Sequence, residues 1–77
     1  MKPNLSFLRK VAAGKVYPYA SYSARTGRVD KFIGGEATTR KHAEAGLVHI
    51  RWPAHTLARG AVTLTEAGRS ALSAPNA

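Results

Sequence analysis

Arg40 and Lys41 stand side by side in the stretch Glu36–Ala45, two positions after Thr38, and Arg51, His55 and Arg59 follow in the next stretch. Arg25 and Arg28 bracket Thr26-Gly27, a pair of residues that suits a turn. These side chains have the chemistry to hold phosphate: arginine as a two-pronged donor, lysine as a point charge, threonine as a neutral donor. The whole chain carries the same message. Twelve Lys and Arg face four Asp and Glu, a net charge of +8 on 77 residues, and such a field gathers polyanions near the surface. Nucleic acid is the first candidate partner; an anionic membrane and an acidic protein are the others. A basic surface with no polyanion partner is the remaining alternative, with Arg40, Lys41 and Glu44 as a solvated helix face. Charge alone does not choose among them.

Other chemistries find less to work with. His42, His49 and His55 lie seven and six positions apart, with no cysteine and no pair at the i, i+4 spacing of a helical metal site, so no metal is expected. His42 is expected at the edge of the core and His49 exposed on a strand. Asp30, Glu36, Glu44 and Glu66 are scattered, and Glu36 and Glu66 suit the first turns of helices, where a carboxylate answers the dipole. No nucleophile–base spacing and no phosphate-cradling glycine loop accompanies them, so neither catalysis nor a cofactor is expected. Trp52 and the tyrosines can stack on bases, as in single-strand binders. The core is the expected home for Trp52, which alternates in phase with Val48 and Ile50.

The elements that must position these residues follow from local signals. Asn4 suits an N-cap, Leu5, Leu8, Val11 and Ala12 share one helical face, and Gly14 supplies a left-handed stop. Tyr17, Tyr19 and Tyr22 with Val16 favour extended chain, and Pro18 excludes a helix. A hairpin over about 16–23 and 28–33 is expected, its tip carrying Arg25 and Arg28 close together, and Gly34-Gly35 breaks the second strand. A helix from Glu36 to Ala45 ends at Gly46, turning Arg40, Lys41 and Glu44 outward with Thr38 nearby; Thr39, His42 and Ala45 point inward or sit at the boundary. Leu47 is expected to fold back on His42. Residues 47–52 and 61–64 form a second hairpin whose long basic tip runs from Pro53 to Gly60. Thr65 caps a last helix, Glu66 to about Ser73, burying Ala67, Ala71 and Leu72, and 73–77 is expected to be a flexible tail.

Seventy-seven residues suit one domain, residues 1–77. Without cysteine, neither a disulfide nor a thiolate metal site supports the core. The apolar run Leu5–Leu8 is broken at once by Arg9 and Lys10, far short of a signal peptide, and no stretch approaches the ~20 apolar residues of a bilayer span. A cytoplasmic location, at the nucleoid if DNA is bound, and no membrane partner are expected.

Two segments resemble the winged helix-turn-helix family. Ala43-Glu44-Ala45-Gly46-Leu47-Val48 is similar to the end of a recognition helix entering the first wing strand. Residues 62–69, Val-Thr-Leu-Thr-Glu-Ala-Gly-Arg, resemble the second wing strand and final helix of MarR-type regulators, and residues 9–16 are similar to the first helix of small actinobacterial and actinophage members. The resemblance implies an α+β, winged-helix-like fold: three short helices, a wing hairpin, and an additional N-terminal hairpin in place of the usual second helix. It implies binding of double-stranded DNA by a small transcriptional regulator. Thr38, Arg40 and Lys41 would meet groove or phosphate; Arg51, His55 and Arg59 would lie at the wing; Arg25 and Arg28 would give a second phosphate contact. Two departures accompany it. Segment 15–35 does not read as a helix, and His42 stands where such helices bury a leucine. The missing second helix and the apolar Leu57 in the long loop favour an alternative: a degenerate winged helix of phage origin that docks on an acidic partner protein. An exposed hairpin edge can also pair two chains, leaving monomer and homodimer both open.

Overall fold

In a computed structural model that describes residues 2–74, helices and antiparallel strands alternate along the chain: α1 (Leu5–Ala12), β1 (Tyr17–Ser23), β2 (Gly27–Ile33), α2 (Glu36–Glu44), β3 (Val48–Arg51), β4 (Ala58–Arg59), β5 (Ala61–Leu64) and α3 (Glu66–Ser73). The fold is α+β, with three helices and two antiparallel sheets among the described residues. The expected tail is partly helix, since Ser73 belongs to α3; residues 75–77 lie outside the described residues.

Local chemistry sets the helix ends. The Asn4 side chain accepts the Phe7 N–H at 3.0 Å and starts α1. At its end, Gly14 takes φ +73°, and the Gly14 and Lys15 amides donate back to the Val11 and Lys10 carbonyls. The buried face is Phe7, Leu8 and Val11; Ala12 is exposed and Leu5 half-buried. The face expected to carry Ala12 is thus rotated toward Phe7, whose ring packs 4.6 Å from that of His42 on α2.

The first hairpin pairs Tyr17 with Ile33 through to Ser23 with Gly27, and Gly27 takes φ +76° after the turn. Gly34 then passes so close to Val16 that an added Cβ would lie 2.8 Å from Val16 Cγ2, so the chain needs glycine here. In α2, Thr39 and His42 are buried as expected, while Ala45 is exposed. Leu47 does fold back: its amide donates to the His42 carbonyl at 2.9 Å, and Gly46 to Ala43 at 3.0 Å.

The core is one cluster, Phe7, Leu8, Val11, Val16, Leu47, Val48 and Val62, fringed by half-buried Phe32, Ile50, Leu64, Ala71 and Leu72. Each large aliphatic buried in this way contributes about 1.5–3 kcal/mol over leaving it in water. Thr65 caps α3 by accepting the Gly68 N–H, and donates its hydroxyl proton to the Gly46 carbonyl. Gly68, not the expected Ala67, is the buried residue of the first turns, because it lies against the Leu47 carbonyl with no room for a Cβ.

Two long-range features depart from expectation. Trp52 is 42% exposed instead of joining Val48 and Ile50, because β3 ends at Arg51 and Pro53 carries the chain off the ladder, so strand alternation no longer governs Trp52. The β3–β5 tip is not a free loop. Its short strand β4 pairs with β1, Tyr19 opposite Arg59 and Ala20 opposite Ala58, giving a sheet in the order β2-β1-β4 beside the β3–β5 pair. The Leu57 amide donates to the Ala20 carbonyl and Gly60 to that of Pro18, and Gly60 is wedged between the Arg51 carbonyl and the Pro18 ring.

Candidate nucleic-acid interface

α2 is held to the body by a buried histidine. His42 is 3% exposed; its Nδ1 lies 2.8 Å from the Thr38 carbonyl, and its Nε2 accepts the Asn4 N–H at 3.1 Å. One partner is an acceptor and the other a donor, so the ring is the neutral tautomer with its proton on Nδ1. This explains the histidine at a position where the resemblance expects leucine: the brace for α2 comes from the start of α1, and it is polar. Both nitrogens are thereby used, so His42 has none to offer a metal. His49 and His55 are exposed.

Of the outward residues of α2, Lys41 is exposed and Thr38 half-buried, its carbonyl engaged by His42. Arg40 is exposed but held. Its guanidinium pairs with Glu36 at 2.8 Å and lies over the Trp52 ring, 5.2 Å from the centroid. Phe32 meets Trp52 edge-on, with centroids 6.0 Å apart and planes at 73°. Arg28 reaches the same neighbourhood, donating to Asp30 at 2.9 Å and to the Pro53 carbonyl at 3.0 Å. Arg25 and Arg28, expected close together at the hairpin tip, have separate partners. Asp30 and Pro53 draw the Arg28 guanidinium to themselves, and Arg25 sits in the turn with its amide donating to Ser23 Oγ.

Arg51 and His55 are exposed, Arg51 opposite Ala61 on the ladder. Arg59 is pinned. It donates to the Gly14 carbonyl at 3.3 Å and lies 3.6 Å over the Tyr17 ring, beside the basic end of α1 with Lys10 and Lys15. The structure therefore gathers Arg28 and Arg40 around Trp52, and sets Arg59 against α1. Lys15, Lys31 and Phe32 are the neighbours that sequence reasoning passed over, and Trp52 is exposed where the core was expected to hold it. For Trp52 the signal was present in Pro53, which ends the strand.

All twelve Lys and Arg are exposed. Among the described residues only Arg28 and Arg40 form ion pairs, leaving ten without a carboxylate partner. No helix among the described residues is long and apolar enough to cross a membrane. Comparison with protein-family models, with curated proteins and with solved structures found no match to this chain.

Proposed function

We propose that this chain is a DNA-binding protein of winged-helix type, acting as a small transcriptional regulator. In this reading α2, the β3–β5 hairpin with its loop, and the N-terminal hairpin hold the phosphates of a duplex. The observation that carries the reading is the spread of cations. Among the described residues, ten without a carboxylate partner recur on both hairpins, on all three helices and on the segments beside them, as a surface that tracks phosphates requires. The molecule is also elongated, 49 × 18 × 16 Å, and its long axis matches about 14 base pairs at ~3.4 Å each. Lys41 and Thr38 meet phosphate or base edges, Arg51 and His55 the backbone beside the loop, and Arg25 a separate phosphate. Arg40 joins them once it leaves Glu36. Arg59, fixed on Tyr17, contributes field more than reach.

Titration of fluorescent duplex DNA at several salt concentrations tests this. Neutralising about five phosphates gives a log–log slope of about −4 to −5. Absence of binding even at low salt would sink the DNA reading. One observation favours a second reading, a protein-binding module for an acidic partner. Tyr22, Ile33 and Leu57 are exposed, Leu57 by 69%, and β2 is a free sheet edge.

A further inference from the structure

Where β2, the start of α2 and the end of β3 meet, the chain leaves a groove of about 280 Å³ lined by Asp30, Lys31, Phe32, Glu36, Arg40 and Trp52. We propose that this groove takes a single unpaired DNA base stacked on Trp52, and that it favours bases bearing an exocyclic amino group. The inference rests on the DNA reading above and names what that surface does with a base released from the helix.

The indole supplies the platform. Trp52 is 42% exposed at the end of a strand, and the edge of Phe32 fixes its ring orientation, so little freedom is lost when a base lands on it. The groove is smaller than the ~300–1,000 Å³ typical of sites for drug-sized ligands. It suits one planar ring and not a partner's helix. Arg40 now covers the indole, but only through an exposed ion pair and an exposed cation–π contact, each a weak interaction in water. It can therefore swing onto the outer face of the base or to its phosphate.

The two carboxylates decide which part of a nucleotide enters. A phosphate directed into the groove would meet Asp30 and Glu36, whereas a base offers them N–H groups. Asp30 Oδ1 is bonded to Arg28 and Glu36 Oε2 to Arg40; their other oxygens, Oδ2 and Oε1, take no protein donor among the described residues. These are acceptors for the amino groups of cytosine, adenine and guanine, and a carboxylate accepting from the cytosine amino group is an established pairing. Thymine has no amino group to give; its one ring N–H, on N3, lies between two carbonyl oxygens that a carboxylate repels. Arg28, Lys31 and Arg40 beside the groove hold the flanking phosphates. A paired base has both its faces and its amino edge occupied, so only an unpaired one fits.

Trp52 is the only tryptophan, so its emission reports on the groove directly. Single strands of about twelve nucleotides, all cytosine or all thymine, are titrated beside a fully paired duplex and the same duplex with one extrahelical cytosine. The expected result is quenching by oligo-dC and by the extrahelical duplex, and several-fold weaker binding of oligo-dT. By anisotropy of labelled oligo-dC, Trp52→Ala weakens binding roughly 5- to 150-fold, the equivalent of about 1–3 kcal/mol. Trp52→Phe restores most of it, and Asp30→Asn with Glu36→Gln brings dC and dT level. Oligo-dC binding with unchanged emission, or unaffected by Trp52→Ala, overturns the base site. Quenching equal for dC and dT overturns the amino preference. Binding of the paired duplex alone, without quenching, overturns the groove and leaves the DNA reading standing; no binding to any strand at low salt overturns both.

Discussion

Two arginines lie over aromatic rings in this molecule, and their surroundings differ. Arg59 sits 3.6 Å above Tyr17 and also donates to the Gly14 carbonyl, while its backbone pairs with Tyr19 in the sheet. Arg40 lies 5.2 Å above Trp52, shares a carboxylate that is itself half in water, and faces an open groove. The first contact closes a structural seam between the β3–β5 loop, β1 and the end of α1. The second is a loose cover over an exposed ring. Similar chemistry thus serves cohesion in one place and availability in the other, and what separates them is what each guanidinium is tied to: a backbone carbonyl and a half-buried ring for Arg59, an exposed carboxylate and an exposed ring for Arg40.

The largest expected effect breaks the closed side. Gly60→Ala puts a methyl group against the Arg51 carbonyl and the Pro18 ring, with backbone on one side that cannot yield. A loss of about 3 kcal/mol in urea unfolding is expected, the upper end of overpacking costs. A loss below about 0.5 kcal/mol, the range of indifferent surface changes, would mean the seam is slack. The two arginines provide an intermediate test. Arg59→Ala should cost about 1 kcal/mol of stability, through the cation–π contact and the carbonyl bond. Arg40→Ala should stay within about 0.5 kcal/mol while weakening DNA binding. Equal stability losses would erase the distinction. The smallest effect sharpens the open side: Lys41→Ala should flatten the salt slope of duplex binding by about one and leave the unfolding midpoint in place.

Most elements were legible because their signals are local. Asn4, Gly14, Gly46 and Thr65 mark helix ends by satisfying backbone groups within a turn, and the bounds of α1, α2, β5 and α3 follow from them. Face assignments were less secure where small residues had to choose sides. Ala12 and Ala67 lie out, while Phe7 and Gly68 lie in, because His42 and the Leu47 carbonyl determine what fits. The candidate site was legible as a set of exposed cations and not as a set of contacts. The ties of Arg28 to Pro53, of Arg59 to Gly14 and of Arg40 to Trp52 are made by folding, and no spacing in the chain encodes any of them. The pairing of β4 with β1 likewise has no sequence signature in two residues.

That pairing has a consequence for how the molecule assembles. β1 finds β2 across a three-residue turn, but it finds β4 only across a separation of about 40 residues. By the logarithmic cost of closing a loop, the second partnership demands roughly 2 kcal/mol more chain entropy than the first. The hairpin can form within microseconds on its own account. The seam must wait until α2 has turned the chain around and β3 has been delivered. The order of assembly expected from loop closure runs from the tyrosine hairpin outward, with the loop that carries His55 and Leu57 taking its shape last.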